Sequence, residues 1–321
     1  MNDAFSRFVA PARPPVSWWR PVAALVCMVV VSIIGSVLVP AIAAAVQGIT
    51  GPMSLERIFA QGAVALATLH RPVSVLLLLG TFVFWFCAVL AATCLFHKRG
   101  LRSLTGPWPG RRVMAVTSGI IVILAIGAAG SAVLADRPAQ NMRFATWLGY
   151  MPVALPLLLI QVTAEELIFR GYLLQELAVR YQAPLVWWVL PAAVFGLVHY
   201  QGETFGSNAW LIVGFAFFMG LVLADITVRT GSLLPAVILH FANNFVAMML
   251  VALDGTVTGL SLFISDIHVS DETAVRGHLL QGLAVAGVLY AFWLAWHWRC
   301  AGLHGRPAPH KSASDIDKKQ P

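Results

Sequence analysis

Charge is what this chain has least of. Asp, Glu, Lys and Arg make up 11% of its 321 residues, under half of the roughly 25% usual in soluble domains. With 59% hydrophobic residues and a mean hydropathy of +0.80, that scarcity excludes an ordinary soluble globular protein. No basic run is interleaved with aromatic stacking residues, so a nucleic-acid partner is not expected despite the net charge of +7. Cysteine is scarce too. Cys27, Cys87, Cys94 and Cys300 form no CxxC pair, which argues against a disulfide frame or a structural zinc site. Three of them fall inside apolar runs and read as small buried thiols. There is no internal repeat, no low-complexity tract and no HExxH motif.

What the chain does have is long apolar runs. A membrane crossing takes roughly 20 mostly apolar residues. Eight candidates lie near Pro21–Gln47, Pro72–Phe96, Val113–Ala135, Trp147–Arg170, Pro184–Tyr200, Ala209–Val228, Ser232–Leu253 and Gly277–Trp298. The fold expected is therefore all-α, a polytopic transmembrane helical bundle. The fifth run is the shortest, and Pro152 and Pro156 lead us to expect a bend in the fourth. The first run ends in "AIAAA", which offers small residues for signal-peptide cleavage. It is longer than a usual signal sequence and seven further runs follow, so an uncleaved helix anchored by Trp18 and Trp19 is the expectation.

Basic residues set the orientation. Sixteen of the 21 Lys and Arg, among them Arg7, Arg20, Lys98, Arg111, Arg180, Arg229 and Arg299, fall on one side if the runs alternate. Arg57, Arg71, Arg137, Arg143 and Arg276 fall on the other. Both termini are then cytoplasmic, and the positive charge faces anionic membrane lipid. This suggests an N-terminal tail over 1–20, a three-helix scaffold over 21–146 and a polar-bearing core over 147–253. An outer loop and last helix would follow over 254–300, then a disordered tail over 301–321. The acidic segment Asp254–Arg276 could act as a lid.

The interiors of the first three runs contain no Asp, Glu, Lys or Arg and read as lipid-facing scaffold. Ionisable residues appear only afterwards: Glu165, Glu166, Arg170, His199, Asp225 and His240, with Asn243 and Asn244 nearby. Each costs about 2.5–3.5 kcal/mol at a helix centre on insertion scales, so each needs a reason. Residues four apart on a helix share a face, and neighbours point about 100° apart. Glu166 and Arg170 can therefore neutralise each other, while Glu165 turns elsewhere, on a face with Gln161, Ile168 and Phe169. Phe195 shares a face with His199, and His240 with Asn244. A carboxylate, two imidazoles and an amide from three helices could activate water and polarise a carbonyl. The alternative is a polar network that ties helices together, the better reading for any one of these histidines alone but not for the whole set.

"EELIFRG", "FGLVH" and "TGSLLPAVILHFANN" resemble the three motifs of the CPBP intramembrane proteases, the group that includes the type II CAAX prenyl endopeptidases. The motifs EExxxR, FxxxH and HxxxN fall on Glu165, Glu166 and Arg170, on Phe195 and His199, and on His240 and Asn244. The resemblance covers roughly Pro156 to Leu250 and implies peptide-bond hydrolysis within a membrane, as in CAAX-box protein processing. It implies that Glu165, assisted by His199, activates water. His240 and Asn244 would bind the oxyanion, and Glu166 with Arg170 would hold the helix. The partner would be a membrane-associated protein or peptide substrate, and the location a bacterial cytoplasmic membrane. For Glu165 to meet His199, the fourth helix must continue past Arg170, to about Arg180.

His199, His240 and Glu165 could instead form a two-histidine, one-carboxylate zinc site. An amide beside a histidine suits an oxyanion better than zinc, and no cofactor is the preferred reading. Two rivals come from other classes. A proton-coupled transporter also uses intramembrane acids and histidines, but transporters usually show repeated halves, and here the polar residues occupy one half. A non-catalytic scaffold or immunity protein could keep the same architecture.

Overall fold

A backbone in hydrocarbon must satisfy its own hydrogen bonds, which leaves the α-helix as the economical solution for each apolar run. The computed structural model describes residues 3–13, 17–46, 68–134 and 138–304, and it places a helix at all eight runs. These are α2 (Trp19–Val46), α3 (Pro72–His97), α5 (Arg111–Leu134), α6 (Phe144–Ala178), α7 (Leu185–Leu197), α8 (Ala209–Thr230), α9 (Leu234–Leu250) and α10 (Glu272–His304). Two short helices, α1 (Asp3–Val9) and α4 (Leu101–Thr105), complete the set used below. Among the described residues five stretches are long and apolar enough to cross a membrane by themselves, and α7 and α9 are shorter apolar helices. The chain is a polytopic transmembrane helical bundle. The C-terminal tail beyond His304 lies outside the described residues, as do residues 14–16, 47–67 and 135–137.

Two features of α6 decide where the site falls. The helix stays continuous through Pro152 and Pro156, and it runs on past Arg170 to Ala178, as the meeting of Glu165 with the later helices requires. Between Leu167 and Leu173 it widens into a π-helical segment, closed by Leu174 N–H donating to Phe169 O. Similar wide turns open α7 (Leu185–Val189) and end α9 (Val246–Leu250). Such turns occur often at functional sites, and here all three helices that carry the motifs have one.

The inner helices pack through small residues. A Cβ on Gly196 would come within 2.8 Å of Val213 O, so only glycine lets α7 lie this close to α8. Gly231, at φ +66°, caps α8 and turns the chain into α9. The N-terminal helix α1 is tied in as well: Phe5, Phe8 and Val9 are buried in a cluster with Leu174, Trp187 and Ala224.

Two features depart from the reading of the sequence. A small three-stranded sheet, absent from the all-helical expectation, joins β1 (Ala139–Gln140), β3 (Phe263–His268) and β2 (Val251–Asp254) in that order. It ties the segment after α9 to the entry of α6, helped by Trp147 Nε1 donating to Met249 O at 2.9 Å. The cysteines are the second. Cys87 and Cys94 are exposed on the surface of α3 and Cys27 is only partly buried, so the buried-thiol reading is corrected. In a bilayer an apolar side chain gains little by facing protein instead of lipid, so apolar sequence alone does not choose the inner face.

Candidate active site

The site grows from the end of the regular part of α6. Four-residue spacing puts Gln161 below Glu165 and Glu166 below Arg170, and both pairs form. Gln161 Nε2 donates to Glu165 Oε1 at 2.7 Å, and Arg170 Nη1 donates to Glu166 Oε1 at 2.7 Å. The two glutamates then diverge in environment. The Glu166 side chain is fully buried, whereas that of Glu165 keeps 13% of its surface accessible. Arg170 lies over the Phe195 ring, 4.4 Å from its centroid, a desolvated cation–π contact that anchors α7 to α6.

From α9, His240 enters between the two glutamates. Its Nδ1 lies 2.8 Å from Glu166 Oε1. A carboxylate oxygen paired with arginine can only accept, so Nδ1 carries the proton. Nε2 then points toward Glu165 Oε2 at 3.6 Å, beyond hydrogen-bond length. That oxygen accepts no hydrogen bond among the described residues. Asn244, one turn after His240, donates through Nδ2 to Gln161 Oε1 at 3.3 Å. Its own Oδ1 accepts from Asn243 Nδ2 at 3.2 Å. Gln161 thus connects Glu165 to Asn244. It is recognisable in the sequence as the residue four before Glu165, but nothing there shows that its other end reaches a second helix.

His199 sits just past the end of α7, half-buried. Its Nδ1 lies 2.7 Å from Phe195 O. A carbonyl only accepts, so Nδ1 is the protonated nitrogen and Nε2 keeps its lone pair. The Phe195 ring packs against both imidazoles, at 4.6 Å from His199 and 5.8 Å from His240. Among the described hydrogen bonds and ion pairs none joins His199 to Glu165. The structure thus links Glu165, Glu166, Arg170, His240, Asn244 and Gln161 in one polar network. His199 belongs to the same cluster through the Phe195 ring.

The donor set does not fit a catalytic zinc as it stands. Such an ion needs three protein ligands at about 2.0–2.2 Å. Among the described residues no three His, Cys, Asp or Glu side chains group closely enough to hold one.

Beyond the site, toward the end of α6, lies a second buried polar group. Glu176 accepts from Arg99 Nη1 at 2.8 Å and from Arg180 Nη1 at 2.6 Å. Arg99 also donates to Gln175, and Tyr172 Oη meets His97 Nε2 at 2.9 Å. Burial pushes the Arg99 guanidinium below its ordinary pKa, and the Glu176 carboxylate opposes that shift. These contacts clamp the end of α6 to the connection between α3 and α4, and so fix the height of Glu165.

With this geometry in place, comparison with known proteins gives one further observation. Residues 145–246 match the family described as type II CAAX prenyl endopeptidase Rce1-like. This part of the chain resembles that family. The matched segment holds every residue of the network around Glu165, and it supports the CPBP resemblance drawn from the three motifs. A protein of Bacillus subtilis (strain 168), the uncharacterised YyaK, is 31% identical over 121 residues. That match covers 37% of this chain and 40% of the length of YyaK. No solved structure matches the chain.

Proposed function

We propose that the chain is an Rce1-like intramembrane endopeptidase that uses Glu165 as its general base and hydrolyses a peptide bond of a membrane-associated protein or peptide. The observation that carries this reading is the division of labour between adjacent glutamates. Each keeps one oxygen without a partner among the described residues, but Glu166 is sealed and held by Arg170 and His240, while Glu165 keeps part of its surface accessible opposite His240 Nε2.

The chemistry follows from those positions. Glu165 takes a proton from water as the water oxygen bonds to the peptide carbonyl carbon. His199, with its Nε2 lone pair, is the second basic group of the cluster and assists. Negative charge develops on the carbonyl oxygen, where Asn244 and His240 are the donors. Asn244 spends one of its two N–H groups on Gln161 and has one left. His240 donates through Nε2 only as an imidazolium. Collapse of the tetrahedral intermediate breaks the C–N bond, and the proton on Glu165 passes to the leaving nitrogen.

No metal enters this scheme. The test is Glu165→Gln, which keeps volume and the bond to Gln161 but loses the base. Cleavage of membrane proteins in a strain carrying this substitution, compared with wild type by proteomics, should stop while the protein remains folded. Unchanged cleavage would remove Glu165 from the role and favour a scaffold or a transporter.

A further inference from the structure

A cavity of about 540 Å³ lies between α5, α8, α9 and α10. It touches the face of α9 that carries Leu239, Asn243 and Val246, not the one that carries His240 and Asn244. Along α10 its lining extends from Ala274 to Trp293, nineteen residues on, or about 28 Å at 1.5 Å per residue. The space exists because α10 turns Gly277, Gly282 and Ala286 toward it. A Cβ on Gly277 would meet nothing within 4 Å.

Shape selects the occupant. Volume over length, counted out to the walls, gives a mean cross-section of roughly 45–50 Å². An α-helix, at least about 10 Å across, needs roughly 80 Å². An extended peptide needs roughly 47 Å² from the spacings of strands and sheets. A helix is too wide, and an extended peptide, which would just fit, would leave its backbone N–H and C=O groups unpaired against a mostly apolar lining, which leaves hydrocarbon.

The polar groups at one end add a second, independent observation. Trp293 is fully buried and lines the cavity, and its Nε1–H meets no acceptor among the described residues. A buried N–H without an acceptor keeps its full desolvation penalty. The neighbouring Tyr290 hydroxyl is already used, donating to Asp225 Oδ2 at 2.8 Å, and Arg229 pairs with the same carboxylate. The Arg229 side chain remains 28% exposed, so this end offers a cation at the edge of the bundle and an N–H donor one step inside it.

We infer that this cavity is a binding site for one glycerophospholipid of the bilayer. One acyl chain lies along α10, an ester carbonyl accepts from Trp293 Nε1–H, and the phosphate faces Arg229. The site is separate from the peptidase reading and does not depend on it.

The test is lipid retention. The full chain is purified in mild detergent, washed extensively, and its bound phospholipid per protein is measured by extraction and mass spectrometry. Wild type should retain about one, because a chain held in a slot outlasts annular lipid. Ala286→Phe and Gly282→Leu fill the slot and should abolish retention. Val288→Phe, on the exposed face of α10, should not. Trp293→Phe keeps the shape and loses one hydrogen bond, so retention should fall by roughly 2- to 10-fold, with peptide cleavage unchanged. Should the slot-filling variants fail to fold by size exclusion, Trp293→Phe decides alone. Equal retention in wild type, Ala286→Phe and Trp293→Phe would show surface lipid only. Recovery of a free fatty acid or an isoprenoid in place of phospholipid would also overturn the assignment.

Discussion

Replacing Arg170 with methionine probes how the buried charges hold one another. The substitution keeps most of the side-chain volume but leaves the Glu166 carboxylate, which is fully buried, without its cation at 2.7 Å. Breaking a buried ion pair from one side costs about 3–5 kcal/mol. Loss of the cation–π contact to Phe195 adds about 2 kcal/mol in a desolvated setting. The sum approaches the whole stability of many proteins, about 5–15 kcal/mol, so Arg170→Met should be severely destabilised. A second change separates a pair from a three-member cluster. Glu166→Gln in the Arg170→Met background removes the stranded charge, and its amide oxygen can still accept His240 Nδ1–H, now made at 2.8 Å. This double variant should regain about 2 kcal/mol over Arg170→Met, within the coupling range of neighbouring residues. Glu166→Leu in the same background also removes the charge but leaves the His240 donor unpaired, at about 1–3 kcal/mol, and should regain less. The assay is thermal unfolding in detergent, followed by tryptophan fluorescence. Strict additivity, with the Gln double variant no more stable than Arg170→Met, would refute the shared-carboxylate arrangement.

Other predictions bear on chemistry and topology. Asn244→Ala should raise the barrier to cleavage by about 2.7–4 kcal/mol, the usual loss for one oxyanion donor, with little change in substrate binding; KM and kcat measured separately would show this. Gln161→Leu should lower activity without abolishing it, because Glu165 and Asn244 each lose one orienting bond. Exhaustive chelation should leave cleavage intact; loss on chelation, rescue by zinc and loss of bound metal in His240→Ala would reassign His199, His240 and Glu165 as ligands. Reporter fusions after Pro309 and within the Lys98–Arg112 loop should both read cytoplasm, and an external signal at either would break the eight-span, N-in and C-in arrangement.

The helices were legible because a bilayer imposes length: each run of about 20 apolar residues returned as a helix. The Glu166–Arg170 pair and the Gln161–Glu165 bond were legible because four-residue spacing on a helix leaves little choice of neighbour. What was hidden is of two kinds. Some features depend on residues far apart in the chain, such as Asn244 on Gln161, Glu176 between Arg99 and Arg180, and the strand of Ala139 and Gln140 on Phe263 and Ile264. Strands of two to six residues carry no period to read. Others turn on which side of an apolar helix faces protein. Hydrophobicity is blind to that where lipid and core are equally apolar, which is why Cys87 and Cys94 were misplaced and the slot under α10 went unseen.

The placement of charge in this chain follows from the same physics. In hydrocarbon a lone carboxylate is costly, so a base with a free oxygen needs its charge offset nearby without being tied up by the offsetting group. A single Arg bonded to Glu165 would solve the first problem and defeat the second. Here the arginine is bonded to the adjacent glutamate, and that glutamate in turn holds the histidine whose far nitrogen faces Glu165. The cation is thus delivered through Glu166 and His240 and not by direct contact. Adjacent glutamates serve this arrangement because neighbours on a helix diverge by about 100°. One can be sealed against α7 and α9 while the other keeps part of its surface accessible. Moving the arginine by one position, to pair with Glu165, would keep the same composition and the same net charge. It would be expected to bury the base in a salt bridge and leave Glu166 as the stranded carboxylate.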